Sequence, residues 1–170
     1  MDFERVYISL VMVGVPLAVV VGVLVLIHMF TRKSPGKGLS LPLTFLAALV
    51  AGFASWWVWL SWPDYYTNHL GQAQGPYKPW HVIICGLTVV VAVITIGWWS
   101  RWRGTGPFMA AYGAVTGFAF AWCYEASQDE TGLFVVGLIM LLLGTIVGLS
   151  VVASLVAAVK SATHTRKATQ

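Results

Sequence analysis

The chain has 170 residues, of which 58% are hydrophobic and only 9% charged, and its mean hydropathy is +0.79. An ordinary globular domain has about a quarter of its residues charged. A chain this apolar lacks the polar surface to face water all round, so its solvent is lipid. The net charge of +4 comes from short connections between apolar runs and implies no nucleic-acid partner.

The opening, "MDFERVYISL", sets Asp2 and Glu4 against Arg5, and no small-residue cleavage site ends the apolar run that follows. It reads as a retained helix and not as a signal peptide. Five apolar runs are predicted, near 9–30, 41–62, 81–100, 107–126 and 132–159. Each meets the roughly 20 residues that a helix needs to cross a bilayer. None alternates as the strands of a membrane barrel do. The last is longer than a span requires and is expected to tilt or to project into water at its end. The expected fold class is therefore all-α: one polytopic integral membrane domain over residues 1–170, a bundle of five transmembrane helices.

Charge sets the expected direction. Arg32, Lys33 and Lys37 fall in the first connection, Arg101 and Arg103 in the third, and Lys160, Arg166 and Lys167 in the tail, which makes eight of the ten basic residues. Connections of odd number share one side. The positive-inside rule places them within, with the N-terminus outside and the C-terminus inside. All six acids, Asp2, Glu4, Asp64, Glu125, Asp129 and Glu130, fall on the other side. The expected location is a prokaryotic plasma (inner) membrane. The tryptophans suit the frame: Trp56, Trp57, Trp59, Trp62, Trp80 and Trp122 gather toward the outer boundary, and Trp98, Trp99 and Trp102 toward the inner one. Indoles favour the headgroup zone. The run "WWVWLSW" is denser than anchoring needs and could also pack against another protein.

Small residues recur every four positions and mark expected helix contacts. The rows are Gly14, Ala18, Gly22; Ala47, Ala51, Ser55; Gly113, Gly117, Ala121; Gly144, Gly148; and Ser150, Ser154, Ala158. Packing within the bundle is the ordinary use of such rows. The fifth helix is the best candidate for outward contact, because its small residues spread over more than one face.

The central parts of the first, second and fifth helices hold only weak polar groups such as Thr44, Ser55, Thr145 and Ser150. That speaks against a proton relay through one subunit, since such paths use intramembrane ionisable groups. Polar chemistry gathers instead at the outer boundary, in the connection 63–80, "PDYYTNHLGQAQGPYKPW", and beside it. His81 opens the third helix, with Cys85 one turn on. Cys123 and Glu125 end the fourth helix, and Asp64 and His69 lie in the connection. Imidazole, carboxylate and thiolate are ligands that copper, zinc or iron select. The plain reading is an interfacial histidine, two buried thiols and solvated acids. His28 sits at the far end of the first helix, too remote to share a ligand with His81.

The spacing Asp64–x4–His69–x11–His81, closing at the start of a membrane helix, partly resembles the third (C) subunit of copper membrane monooxygenases of the methane and ammonia type. That subunit carries Asp-x3-His-x12-His beside the membrane. The likeness covers roughly residues 40–130 and includes the Trp-rich helix before the acid and the short basic loop after the His81 helix. The middle histidine is displaced by one position, and the Asn-Glu-Trp-x-His-like run before the family's final helix is absent. The resemblance implies a copper or other transition-metal site on Asp64, His69 and His81.

With no complete catalytic motif, the expected role is a small membrane-embedded accessory or structural subunit of a larger integral-membrane complex, of oxidoreductase type or another. The expected partners are the lipid bilayer and other membrane subunits or copies of itself. A small homo-oligomeric transporter or channel and a metal-site subunit of a copper-dependent monooxygenase are the alternatives.

Overall fold

The computed structural model describes residues 3–30, 37–62, 65–68, 70–75, 77–126 and 134–168. Among these the chain forms five α-helices: α1 (Phe3–Phe30), α2 (Leu41–Leu60), α3 (Pro79–Trp99), α4 (Thr105–Ala126) and α5 (Phe134–Ala168). Two short strands, β1 (Tyr66–Thr67) and β2 (Ala73–Gln74), pair antiparallel between α2 and α3. Among the described residues, three stretches are long and apolar enough to cross a membrane: Leu41–Leu60, Pro79–Trp99 and Val136–Thr163. Each predicted helix is present. The ends differ most in α1 and α5, which run further into polar sequence. No glycine or proline interrupts residues 3–13 or 149–168, so helix propagation continues past the apolar run. At 1.5 Å per residue, the 28-residue stretch Val136–Thr163 is about 42 Å long, longer than the roughly 30 Å hydrocarbon core it would cross.

Proline helps to start two helices. α2 and α3 each carry one in their first turn, where the missing N–H costs nothing and the fixed φ suits the helix. α3 ends at Ser100, whose extended backbone still donates its N–H to Ile96 O at 3.1 Å.

α4 is the hub, in contact with each of the other four helices. Its composition explains this. Ala110, Ala111, Ala114, Ala119 and Ala121 are buried, as are Gly113 and Gly117. Such residues let neighbouring backbones close in where lipid gives no hydrophobic drive. The tightest contact is with α2. A Cβ at Gly52 would strike the Ala114 carbonyl, and one at Gly113 or Gly117 would strike the Phe45 or Leu49 carbonyl. The core runs along α4, where Leu17 of α1, Ala48 of α2, Val89 and Val93 of α3, and Leu138, Leu142, Leu149 and Ala153 of α5 converge. The glycine rows of the other two helices behave differently: a Cβ built at Gly14, Gly22, Gly144 or Gly148 meets nothing within 4 Å. Among the described residues, these four glycines make no close contact within the chain.

Hydroxyls inside the helices bond back to the preceding turn. Thr44 donates to Ser40 O, Ser55 to Ala51 O, Thr88 to Ile84 O, Thr116 to Tyr112 O and Thr145 to Leu141 O, all at 2.6–2.8 Å. This satisfies them without a partner helix. A few polar bonds do cross between helices. Trp59 Nε1 donates to Thr88 Oγ1 at 3.2 Å, joining α2 to α3. The Tyr112 and Ser150 hydroxyls lie 3.1 Å apart, joining α4 to α5.

Candidate functional site

Three places in the bundle bring chemistry together: the end that carries the α2–α3 connection, an apolar cavity between α3, α4 and α5, and a basic node at the opposite end.

At the first, the connection is built around Asn68. Its backbone N–H donates to Gln72 O, and its side-chain Oδ1 accepts from the N–H groups of Leu70 and Gln72, all at 3.0 Å. Asn68 Nδ2 reaches Gln72 Oε1 at 3.0 Å. Gly71, at φ +74°, supplies the left-handed residue of the turn, a conformation that glycine adopts at no steric cost. The segment thus folds as a short hairpin, which the sequence reading did not foresee. Tyr65 and Leu70 remain exposed. Tyr77 packs on a small cluster of Trp56, Leu60, Cys85 and Ala121 under the connection. Two ring nitrogens here are buried without a hydrogen-bond partner: Trp56 Nε1 and His81 Nδ1. The His81 ring lies 3.7 Å from that of Trp80, centroid to centroid.

The predicted metal ligands are placed as follows. Asp64 and His69 lie outside the described residues, and so does the side chain of Glu125, although its backbone belongs to α4. Cys85 and Cys123 are free thiols, both buried. They belong to different apolar clusters, Cys85 beside Trp56 and Cys123 in the main core. Cys85 Sγ donates to Ser55 O at 3.5 Å. Among the described residues, no three of the types His, Cys, Asp and Glu come together as a metal cage.

The cavity holds about 530 Å³ and is walled almost wholly by carbon: Val89, Val115, Phe118, Trp122, Leu141 and Leu149 among others. Gly86, Gly144 and Gly148 also line it, and the absence of their side chains makes part of the space. The volume falls within the roughly 300–1,000 Å³ of ligand pockets.

The opposite end is bound by contacts that no apolar pattern announces. Leu39 N–H donates to Trp99 O at 2.9 Å and Arg101 N–H to Leu39 O at 3.0 Å, so the segment before α2 pairs with the end of α3. Gly38, at φ +140°, abuts the Trp99 carbonyl so closely that a Cβ would collide with it. Lys160 of α5 donates from Nζ to Gly97 O at 3.1 Å and to Ser100 O. A cation there satisfies carbonyls left open at the C-terminus of α3 and meets the negative end of its dipole. His28 Nδ1 lies 3.1 Å from Thr105 Oγ1, and the ring meets Trp102 edge-on at 4.2 Å, fixing α1 to the start of α4. Arg103 is within electrostatic reach of Lys160. The sequence reading counted Lys160 only as a tail charge. Its place one turn after Val156, in line with the buried Leu149, Ala153 and Val156 of α5, was the available signal.

Set against family models, curated proteins and solved structures, the chain finds no match.

Proposed function

We propose that this protein is a small accessory subunit of a larger integral-membrane assembly, spanning the bilayer five times with its N-terminus outside and its C-terminus inside. The observation that carries the reading is the division of its glycine rows. Gly52, Gly113 and Gly117 are consumed by the contact between α2 and α4, whereas Gly14 and Gly22 on α1 and Gly144 and Gly148 on α5 face open space. Gly144 and Gly148 also open onto an apolar cavity lined by residues of α2, α3, α4 and α5. A row of small residues is the surface on which a second helix approaches closely. The exposed Trp57 and Trp62 near one boundary add rigid aromatic area of the kind enriched at interfaces.

Orientation rests on the sequence, in which eight of the ten basic residues fall after α1, after α3 or from Lys160 onward; bonds from His28 to Thr105, Leu39 to Trp99 and Lys160 to Gly97 bring those ends of the helices together. Cysteine labelling tests it: reagent added from outside should modify a cysteine at position 72 and spare positions 35 and 103. The reverse pattern contradicts the orientation.

Co-purification after mild detergent extraction tests the functional reading. Other polypeptides should accompany the chain in stable proportion. Self-association alone would favour the homo-oligomeric transporter or channel. Stoichiometric metal, lost in both His69→Ala and His81→Ala, would favour the metal-site subunit.

A further inference from the structure

The basic end of the bundle has more built into it than an orientation signal. Four basic residues, Lys37, Arg101, Arg103 and Lys160, lie in or against the short piece of backbone around Ser100. Lys37 precedes Gly38 and Leu39, which pair with Trp99 and Arg101. Lys160 reaches Ser100 O from α5, and Arg103 sits within electrostatic reach of that ammonium. In the sequence, none of the six carboxylates (Asp2, Glu4, Asp64, Glu125, Asp129, Glu130) falls in the connections that carry these basic residues.

Two further observations point to a ligand. Arg101 Nε is buried and has no hydrogen-bond partner. A buried donor left unsatisfied costs about 1–3 kcal/mol, so a group absent from the protein itself is a natural acceptor. Lys37, Gly38, Leu39, Trp98 and Trp99 line an open groove of about 570 Å³, and the backbone of Arg101 pairs with that of Leu39, one of its walls. Its composition is amphipathic, with one ammonium at one edge and two indoles and a leucine as walls.

We infer that this groove holds an anionic phospholipid. The phosphodiester takes charge-assisted bonds from Lys37 and Arg101, and an acyl chain runs along Trp98 and Trp99. Charge complementarity selects the occupant. An unbalanced basic cluster at a helix boundary attracts anionic headgroups, phosphate accepts readily from guanidinium, and the indole faces favour a lipid over a free anion. Lys160 is a positioning residue in this arrangement. By holding Gly97 O and Ser100 O it fixes the backbone from which Arg101 projects, and it adds to the local positive potential.

The test uses the full-length chain in neutral detergent, with thermal unfolding followed during separate titrations of phosphatidylglycerol, phosphatidylcholine and inorganic phosphate. Phosphatidylglycerol should raise the midpoint at concentrations where the other two do not. Lys37→Gln should weaken the apparent affinity for phosphatidylglycerol about fivefold, the loss of one basic residue near an anionic surface. Lys78→Gln, at the other end, should leave it unchanged. Lys37 is exposed, so its substitution keeps the test decisive even where Arg101→Gln fails to fold. Equal shifts with phosphatidylcholine would overturn the site, because charge would then play no part. Equal shifts with inorganic phosphate would overturn the lipid as occupant. Undiminished phosphatidylglycerol binding by Lys37→Gln would overturn the assignment to this groove.

Discussion

Replacing Gly117 by alanine adds one methyl group to the closest contact in the bundle. A Cβ there would overlap the Leu49 carbonyl oxygen and come within 2.8 Å of Leu49 C and 2.9 Å of Phe53 N. These are backbone atoms of α2 and cannot rotate away, so α2 and α4 must separate. Overpacking of this kind costs about 1–3 kcal/mol. Alanine also favours a helix over glycine by about 1 kcal/mol, which offsets part of that cost and must be removed from the comparison. Gly144→Ala provides the reference, because the same methyl at that position meets nothing within 4 Å. It carries the helix-propensity gain with no collision. The difference between the two variants should therefore be about 1–3 kcal/mol in disfavour of Gly117→Ala. Reversible unfolding of the purified chain in mixed micelles, followed by helical circular dichroism, measures both. Equal stabilities would refute the claim that the contact of α2 with α4 is set by backbone approach.

Further outcomes follow from single contacts. Lys160→Met should destabilise the chain by about 0.3–2 kcal/mol, the range for a cation at a helix C-terminus, and should speed amide hydrogen exchange at the end of α3, whereas Lys160→Arg should retain part of the protection. Trp59→Phe, which removes the bond to Thr88, should cost about 0.5–1.5 kcal/mol, read from the same unfolding curves. In the folded protein Cys85 and Cys123, both buried, should resist maleimide for hours and react within minutes once unfolded; prompt labelling of either in the native state would contradict the packing. His28→Ala should loosen the edge contact with Trp102, seen as a changed emission spectrum when Trp102 is the probe.

How much of this could be read beforehand depends on the kind of force involved. The five helices are legible because hydropathy and length act locally along the chain. The hub position of α4 is not, since its run of alanine and glycine is the less apolar one, and burial among helices comes from side-chain size and not from hydropathy. The glycine rows were visible as a pattern, yet Gly113 and Gly144 look alike in sequence. Only the packing shows that one meets the Phe45 carbonyl and the other faces open space. The Asn68 hairpin was hidden because two-residue strands leave no periodicity, although Asn and Gly flanking the turn were its trace. The bonds of Lys160 to α3 and of His28 to Thr105 join residues 60 or more positions apart, a distance at which one sequence gives no pairing signal. Of the proposed metal ligands, Asp64 and His69 lie outside the described residues, while Cys85 and Cys123 are accounted for by burial in apolar clusters.

The role as a subunit is tested most directly by a photocrosslinking residue placed at position 148, on the open face of α5, and activated in native membranes. An adduct between this chain and a different polypeptide, absent when the same probe replaces Gly117 inside the bundle, is the predicted result. An adduct to a second copy of the chain alone, or none at either position, would contradict it.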